Sequence, residues 1–299
     1  MATTVDQWIV NQYASMVEHL YQQMYPRLRQ YVRVKSGALG ERTSFDRLGL
    51  SRFAEKTERH SPTTHQDPDH TRRWVSKRDY THSLLLGRTD DPEIIVNAQE
   101  AYVANGAMAK AVLGDQLILR AVEGNAYQGK DSTDTVVLPA GQKIANGGAG
   151  LTAGKFRQAR EKHSSAEVGL DDLNNGNVGA FVAVVSPIGM KQLMADTEAT
   201  NMDFIGDQGA RMPLVNGVIP YYMGYRIVQH NELTVAADIR SCLFWHVSCV
   251  GLAIWEEEFM SIDVLPTMHY DKQIYRETSM NATRVQDTGV VQVDIDETK

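Results

Sequence analysis

The chain has 299 residues and a formal net charge of −7, with 42% hydrophobic and 22% charged residues. These values are typical of folded globular proteins and exclude wholly disordered, collagen-like and coiled-coil chains. The longest apolar stretch, residues 241–255, contains His246 and is too short to span a bilayer, and the N-terminus lacks the pattern of a secretory signal. We therefore expect a protein that works in a cytoplasm, with no membrane partner.

Charge is distributed unevenly along the sequence. Residues 27–78 hold 13 Lys and Arg against 6 Asp and Glu, whereas the rest of the chain holds 17 against 31. A basic segment on an acidic body indicates contact with nucleic acid or with the acidic surface of a second copy of the chain. A solvated basic loop is the remaining alternative.

The N-terminus carries the clearest helical pattern. Thr4 and Gln7 form a candidate capping box, and Pro26 ends the pattern. The apolar residues recur at i, i+3 and i+4 spacing and form one stripe: Val5, Trp8, Ile9, Tyr13, Met16, Val17, Leu20, Tyr21 and Met24. This helix either packs in the core of its own subunit or forms an arm that docks on a neighbour.

Residues 37–69 show no convincing period, and a loop of this length needs a function or a partner inside a compact domain. Residues 74–86 then read as extended structure. Asp91-Pro92-Glu93 is a strong helix start, and the pattern predicts a helix from Pro92 to about Gly124. At 1.5 Å per residue it would be about 48 Å long, which is the length of a spine packed on a sheet.

Helices and strands alternate beyond residue 124. The patterns predict a helix over 152–163, a helix capped by Ser186-Pro187, and strands over 135–138, 181–185 and 221–229, followed by an apolar run over 242–255. Residues 290–295 alternate as a half-buried strand would. Cys242 and Cys249 lie seven residues apart, so on one strand they would face opposite ways and not form a disulfide.

Four groups of residues could suggest catalysis or ligand binding: His60, His65 and His70, the glycine-rich run 145–150, the carboxylates 256–258 and 294–297, and Arg72-Arg73-Trp74. The histidine spacing fits no shared helix or strand face, and the glycines lack the spacing of a nucleotide loop. The carboxylates are neighbours that point apart, and the Arg-Arg-Trp triplet suits stacking and phosphate contact in an otherwise acidic chain. We therefore expect no catalytic residue, no metal and no cofactor.

Short motifs in a fixed order give the chain a family resemblance. They are Gln22-Gln23 through Arg27-Leu28-Arg29, Asp46-Arg47-Leu48-Gly49, Arg59-His60 with Thr63, Arg72-Arg73-Trp74, Ala126-Tyr127-Gln128-Gly129-Lys130, Val184-Val185-Ser186-Pro187, Met223-Gly224-Tyr225 and Ala282-Thr283-Arg284. With these motifs, the chain resembles a tailed-bacteriophage major capsid protein of the Hong Kong 97-type fold, in the "phage capsid protein" family. The resemblance would place glycine before Ala282-Thr283-Arg284, where this chain has Asn281.

The resemblance implies an α+β fold with a fixed order of units. Residues 1–36 would form an N-terminal arm and 37–86 an extended β loop. Residues 87–124 and 252–299 would form a peripheral domain with the spine helix at about 91–124, and 125–251 an inserted axial α/β domain. The implied subunit-interface residues are Trp8, Tyr13, Met16, Arg27, Arg29, Arg47, Arg59, Arg72, Arg73 and Trp74.

The resemblance also implies a function and partners. The chain would self-assemble into hexamers and pentamers of an icosahedral shell around double-stranded DNA, which it would contact non-specifically. The other expected partners are a separate scaffolding protein, a portal protein and a decoration protein. Assembly would take place in the host bacterial cytoplasm, and the product would be the capsid of the virion. We expect no covalent crosslinks between subunits. A host-encoded protein compartment and a cytosolic enzyme are the alternatives.

Overall fold

The computed structural model describes residues 23–53, 55–56, 59–60, 65, 67–87, 98–174, 179–196 and 219–299. The helices are α1 (Ala98–Glu123), α2 (Ala153–Ser165), α3 (Leu170–Asn174) and α4 (Pro187–Ala195). The strands are β1 (Arg33–Ser36), β2 (Arg42–Leu48), β3 (His70–Ser76), β4 (Asp79–Leu86), β5 (Ala126–Gln128), β6 (Asp134–Val136), β7 (Lys143–Ile144), β8 (Phe181–Val185), β9 (Tyr221–Tyr222), β10 (Tyr225–Gln229), β11 (Val235–Ala236), β12 (Ile239–His246), β13 (Val250–Leu265), β14 (Asp271–Arg284) and β15 (Val290–Asp296).

Three sheets organise the described part of the chain. The spine sheet has the order β1-β13-β14-β4, and the loop sheet has the order β2-β3-β5-β6. The large sheet has the order β7-β15-β12-β8-β10-β9, with β11 paired to β12. Most of the buried apolar side chains form one cluster that spans the large sheet, α1 and the chain around Leu28.

The long helix α1 packs on β14 of the spine sheet. Its end at Glu123 confirms the predicted end near Gly124, whereas the predicted start at Pro92 lies outside the described residues. Gly106 marks the closest approach, because a Cβ atom there would lie 3.0 Å from the side chain of Arg276. Arg276 in turn donates to the carbonyl of Val103 at 2.7 Å. Tertiary packing therefore holds a helix that its glycines weaken.

The spine sheet is buried at one end and exposed at the other. Along β13, residues 250–254 are buried, whereas almost all of those from Glu256 onward are exposed or partly exposed. The hairpin of β13 and β14 therefore projects beyond the core. Exposed apolar side chains on this projecting part include Phe259, Met260, Ile262, Val264, Met268 and Tyr270.

The large sheet is the apolar centre of the molecule. All five residues of β8 are buried, which confirms the strand predicted over 181–185. The ring of Phe156 on α2 lies 5.0 Å from the ring of Phe244 on β12, edge to face, and Tyr225 packs on Phe244 at 5.2 Å. The predicted helix after Ser186-Pro187 is also confirmed, and Ser186 Oγ accepts from the amide of Gly189 at 2.9 Å.

Several predicted elements need correction because the chain changes sheet or turns back within them. The extended stretch 74–86 divides into β3 in the loop sheet and β4 in the spine sheet. The apolar run 242–255 bends at a 3-10 turn over Val247–Cys249 and passes from the large sheet to the spine sheet. The strand predicted over 221–229 is a hairpin, since Met223 and Gly224 have φ of 48° and 80°, as a tight two-residue turn requires.

The C-terminal strand lies elsewhere than the expected division into units implies. Residues 252–299 were expected to return together to the peripheral unit, but β15 pairs with β12 and β7 inside the large sheet. Val290 and Gln292 are buried as well as Val291, Val293 and Ile295, so the strand is not half-buried as predicted. β15 lies between two other strands and packs against α2, so only Asp294 and Asp296 remain partly exposed.

The beginning of the chain is also more integrated than an arm of residues 1–36 implies. Leu28, Tyr31 and Val32 are buried within the same chain, and β1 pairs in parallel with β13. Trp245 of the large sheet donates from Nε1 to the carbonyl of Tyr31 at 2.9 Å. Residues 28–36 therefore belong to the body of the subunit, and a docking arm can only precede them.

Candidate assembly interface

The hairpin of β2 and β3 carries four of the ten predicted interface residues, Arg47, Arg72, Arg73 and Trp74. Its strands pair in antiparallel register, with Phe45 opposite Arg73 and Asp46 opposite Arg72. Because side chains alternate along a strand, one face points to the body of the subunit and the other to solvent. Thr43, Phe45, Arg73 and Val75 form the buried face.

The buried face is fixed by a cluster of two arginines and one aspartate. Asp287 accepts from Arg73 on one carboxylate oxygen and from Arg284 on the other, the latter at 2.6 Å. Both guanidinium groups are almost fully buried, and burial lowers the pKa of Arg73. Buried charges of this kind are stable only when paired and hydrogen-bonded.

Arg284 extends this cluster to two further elements. Its guanidinium donates to the carbonyls of Val122 and Gly124 at the end of α1, at 3.1 and 2.6 Å, and to Val136 of β6 at 3.0 Å. A cation at this position also complements the negative end of the helix dipole. The cluster therefore joins the buried face of the β2–β3 hairpin, which we call its root, to the end of the spine helix α1 and to β6.

A second contact holds the same root from the other strand. The ring of Phe45 lies over Gly251 of β13, where a Cβ atom would come within 2.6 Å of the ring. Arg33 and Lys35 of β1 lie 5.8 and 6.0 Å from the centre of this ring. Glycine at 251 is what allows the hairpin to approach the spine sheet so closely.

The outward face of the hairpin is polar and basic. Arg72 forms a two-pronged ion pair with Asp46, with its Nε 2.5 Å from Oδ1, and this contact lowers the pKa of the carboxyl. The guanidinium of Arg72 also lies 5.3 Å from the ring of Trp74, whose Nε1 donates to the carbonyl of Gly129. The exposed contacts of Arg72 orient this face and add little stability. Arg47 alternates with Thr43 and Phe45 and so lies on the inward face, where it donates to Thr71 Oγ1 at 3.0 Å.

Three exposed apolar residues interrupt the basic segment. Leu39, Leu50 and Phe53 are almost fully exposed. Sequence reasoning missed them because no period links them; the available signal was large apolar residues within a charged, aperiodic stretch. Single exposed apolar residues are common, and a contiguous patch of them marks a surface that another molecule covers.

The chain enters the subunit at a buried carboxylate, Asp115 on α1. Asp115 accepts from the amides of Arg27 and Leu28 at 2.9 and 3.0 Å and from the side chain of Gln23, and His230 Nε2 lies 3.4 Å away. Burial alone would raise the pKa of Asp115, but the nearby imidazole of His230 and the hydrogen bonds from the two amides and Gln23 lower it below its ordinary value. This anchor, which the sequence did not reveal, fixes where the N-terminal segment leaves the body.

The basic segment was expected to meet an acidic surface on a second copy, but part of that negative charge is neutralised within the chain. Glu257 is paired with Arg29, and Glu258 is paired with Arg276 and, at 3.0 Å, with Lys110. These carboxylates therefore brace α1 and the chain start against the spine sheet. They present less free negative charge to a neighbour than the sequence suggests.

The ten predicted interface residues fall into three groups. Trp8, Tyr13 and Met16 lie outside the described residues. Arg27, Arg29, Arg47, Arg59, Arg72 and Trp74 lie on or near the surface, mostly with partners in their own chain. Arg73 is only 1% exposed and is paired with Asp287, so its side chain works inside the subunit and not at an interface.

One polar trio has the composition of a catalytic triad. His246 Nε2 lies 3.0 Å from Asp172 Oδ2, and its Nδ1 lies 2.7 Å from Ser248 Oγ. The same Nδ1 also accepts from the amide of Ser248 at 3.4 Å, so the histidine caps the turn over Val247–Cys249. Capping of this turn gives the contact between His246 and Ser248 a structural role. In the part of the chain that the structure describes, no group of metal-ligating residues is present and no helix is long and apolar enough to cross a membrane.

Comparison with known families identifies the chain. A family model described as phage capsid protein matches residues 5–297. This chain belongs to the phage capsid protein family. It is a major capsid protein, and copies of it build the icosahedral capsid of a bacteriophage virion. No curated protein matches the chain.

Solved capsid structures share this fold over nearly the whole chain. The capsid of Ralstonia phage GP4 aligns with a TM-score of 0.74 at 12% identity and covers 99% of this chain and 97% of its own. The cyanophage Pam1 capsid gives 0.72 at 12% identity, with 96% of each chain covered. Mycobacterium phage Che8 gives 0.67 at 18% identity, with 97% of this chain and 98% of its own covered. These likenesses confirm the predicted α+β fold of Hong Kong 97 type.

Proposed function

We propose that this capsid protein assembles into hexamers and pentamers that close into the shell of a tailed bacteriophage around double-stranded DNA. The proposal rests on the family match over residues 5–297. It is supported by the β2–β3 hairpin, whose root, the buried face, is fixed to the subunit and whose outer face is exposed. A rigid root with an exposed, basic and locally apolar face suits a surface that a neighbouring subunit covers.

The energetics of such an interface fit the described residues. Exposed ion pairs contribute only about 0.2–1 kcal/mol each, so the basic residues of the hairpin would mainly orient neighbouring subunits. Apolar anchors such as Leu50 and Phe53, together with Trp8 and Tyr13 of the N-terminal segment, would supply most of the affinity. Closed symmetry then multiplies weak contacts into a stable shell.

The remaining partners follow from the same proposal. A scaffolding protein would set the size of the shell, a portal protein would occupy one vertex, and a decoration protein would bind outside. Assembly would take place in the host bacterial cytoplasm. Contact with packaged DNA would be non-specific, and the protein would have no enzymatic activity.

The first experiment is the particle size of the purified protein, measured by light scattering and negative-stain microscopy. We expect hollow particles, tubes or rings of five and six subunits, and nucleic acid in particles purified from infected cells. Particles that enclose an enzyme would favour a host-encoded compartment. A small oligomer that persists at high concentration, both alone and after coexpression with a candidate scaffolding protein, would contradict the proposal.

Two further measurements test the finer points. Shells of the correct size from this chain alone would show that no separate scaffolding protein is needed. A ladder of covalent multimers on a denaturing gel would show that subunits become crosslinked, against our expectation of noncovalent shells.

A further inference from the structure

An apolar groove lies between α1 and the spine sheet, next to the point where the described chain begins. Its volume is about 200 Å³. Most of its lining residues are apolar or glycine, and Arg29, Lys110 and Glu258 are charged. The floor is open at Gly114, where a Cβ atom would meet no atom within 4 Å. This groove is separate from the loop hairpin.

The N-terminal segment leaves the body at this groove. Asp115, one residue from Gly114, holds the side chain of Gln23 and the amides of Arg27 and Leu28. Met24 already lines the groove although more than half of its surface is exposed. The described chain therefore begins at Gln23, next to this largely apolar groove.

The sequence of this segment complements the groove in shape and chemistry. Three of the five α1 residues that line the groove are small, namely Ala107, Ala111 and Gly114. The apolar stripe of residues 5–21 carries large side chains such as Trp8, Tyr13 and Met16. A helix over residues 5–21 would be about 25 Å long, and the groove extends about 16 Å along α1 from Ala107 to Ile118. The segment is long enough to cover the groove with about three turns.

We propose that, in the free subunit, residues 5–21 lie in the groove of their own chain. A tether that begins at the groove gives the segment an effective concentration of roughly millimolar, which exceeds that of segments from other free subunits in dilute solution. Each free subunit thus covers its own apolar surface, and assembly must exchange this contact for one with a neighbour. The inference rests on the proposed function only in treating the chain as a subunit that assembles.

Crosslinking distinguishes contact within a chain from contact between chains. The probe is a short bismaleimide on the double variant Met16→Cys with Ala107→Cys, in the size-exclusion fraction of free subunits. The native Cys242 and Cys249 are fully buried, and burial raises the pKa of their thiols to about 12 and about 11, so they react slowly. Met16→Cys with Leu50→Cys, on the exposed loop, is the matched control.

We expect a crosslinked monomer in which the N-terminal peptide is joined to the α1 peptide, with a yield at least about tenfold above the control. A yield equal to that of the control, or crosslinked dimers without crosslinked monomer, would overturn the inference. If the wild-type protein forms shells but either of these negative crosslinking results is obtained, the inference fails and the proposed function stands.

A second variant blocks the groove without disturbing the fold. Gly114→Leu places a side chain in open space and replaces glycine with a better helix former, so the subunit should fold normally. Asn105→Leu, on an exposed part of α1, is the control. We expect chymotrypsin to cleave at Trp8 and Tyr13 about tenfold faster in Gly114→Leu alone, because proteolysis follows the undocked population. Equal rates in both variants and the wild type would contradict the docking.

Discussion

The large sheet and the β2–β3 hairpin place their side chains in opposite surroundings. In the large sheet, β8 is buried at all five positions, and its neighbours come from the same chain. The hairpin buries only one face, and its loop leaves Leu50 and Phe53 exposed. Among the described residues, the strands of the large sheet pack against elements of their own chain, whereas the hairpin presents an outer face that suits a second copy. Mutations in the two regions should therefore separate folding from assembly.

The largest expected effect is on assembly. Removing residues 1–26 should abolish shells and leave a folded subunit, because the buried cluster begins at Leu28. Electron microscopy would score the shells and circular dichroism the fold. Intact shells from the truncated protein would show that the segment is dispensable.

The next effect concerns the root of the hairpin. Asp287→Ala leaves Arg73 and Arg284 buried without their carboxylate, and breaking a buried ion pair costs about 3–5 kcal/mol of unfolding free energy. Asp46→Ala removes an exposed pair on the same hairpin and should cost under about 1 kcal/mol. Denaturant unfolding of both variants tests the contrast. Equal losses would show that the buried cluster does not hold the root.

Two phenylalanines sharpen the comparison further. Phe45 is 4% exposed and packs on Gly251, so Phe45→Ala should cost about 3–5 kcal/mol. Phe53 is fully exposed, so Phe53→Ala should change stability by no more than about 0.5 kcal/mol and reduce assembly. Thermal unfolding and particle yield separate the two. Normal particle yield from Phe53→Ala would remove it from the proposed interface.

A smaller effect, about 3 kcal/mol, is expected from pH in the core beside the large sheet. Burial lowers the pKa of His163 to about 3, and its Nδ1 lies 2.7 Å from Tyr225 Oη. Between pH 6.5 and about 3 the unfolded chain binds a proton that the folded chain does not, so this contribution to stability is full above pH 6.5 and falls as the pH falls. From pH 7 to 4, the wild type should lose about 3 kcal/mol more than His163→Gln. Parallel losses in denaturant titrations would contradict this.

Locally encoded elements were predictable from the sequence. The strand at 181–185, the helix capped by Ser186 and the end of the spine helix each depend on apolar pattern and on capping or stop residues within a few positions. The sequence also shows the excess of basic over acidic residues in 27–78, the segment that contains the hairpin. Its motif order gave the family, which the match over residues 5–297 confirms.

The tertiary structure alone decided which of these residues face outward. Arg72 and Arg73 are neighbours in sequence, yet one is exposed and the other is buried against Asp287, 214 positions away. Asp115, Gly251 and the strand at 290–296 likewise take their roles from distant partners. A period of two or 3.6 residues reports the faces of one element, and it carries no information about which sheet or helix end will cover them. The sequence by itself therefore determined the locally encoded elements and the family, and packing between distant segments determined the sheet changes and the anchors.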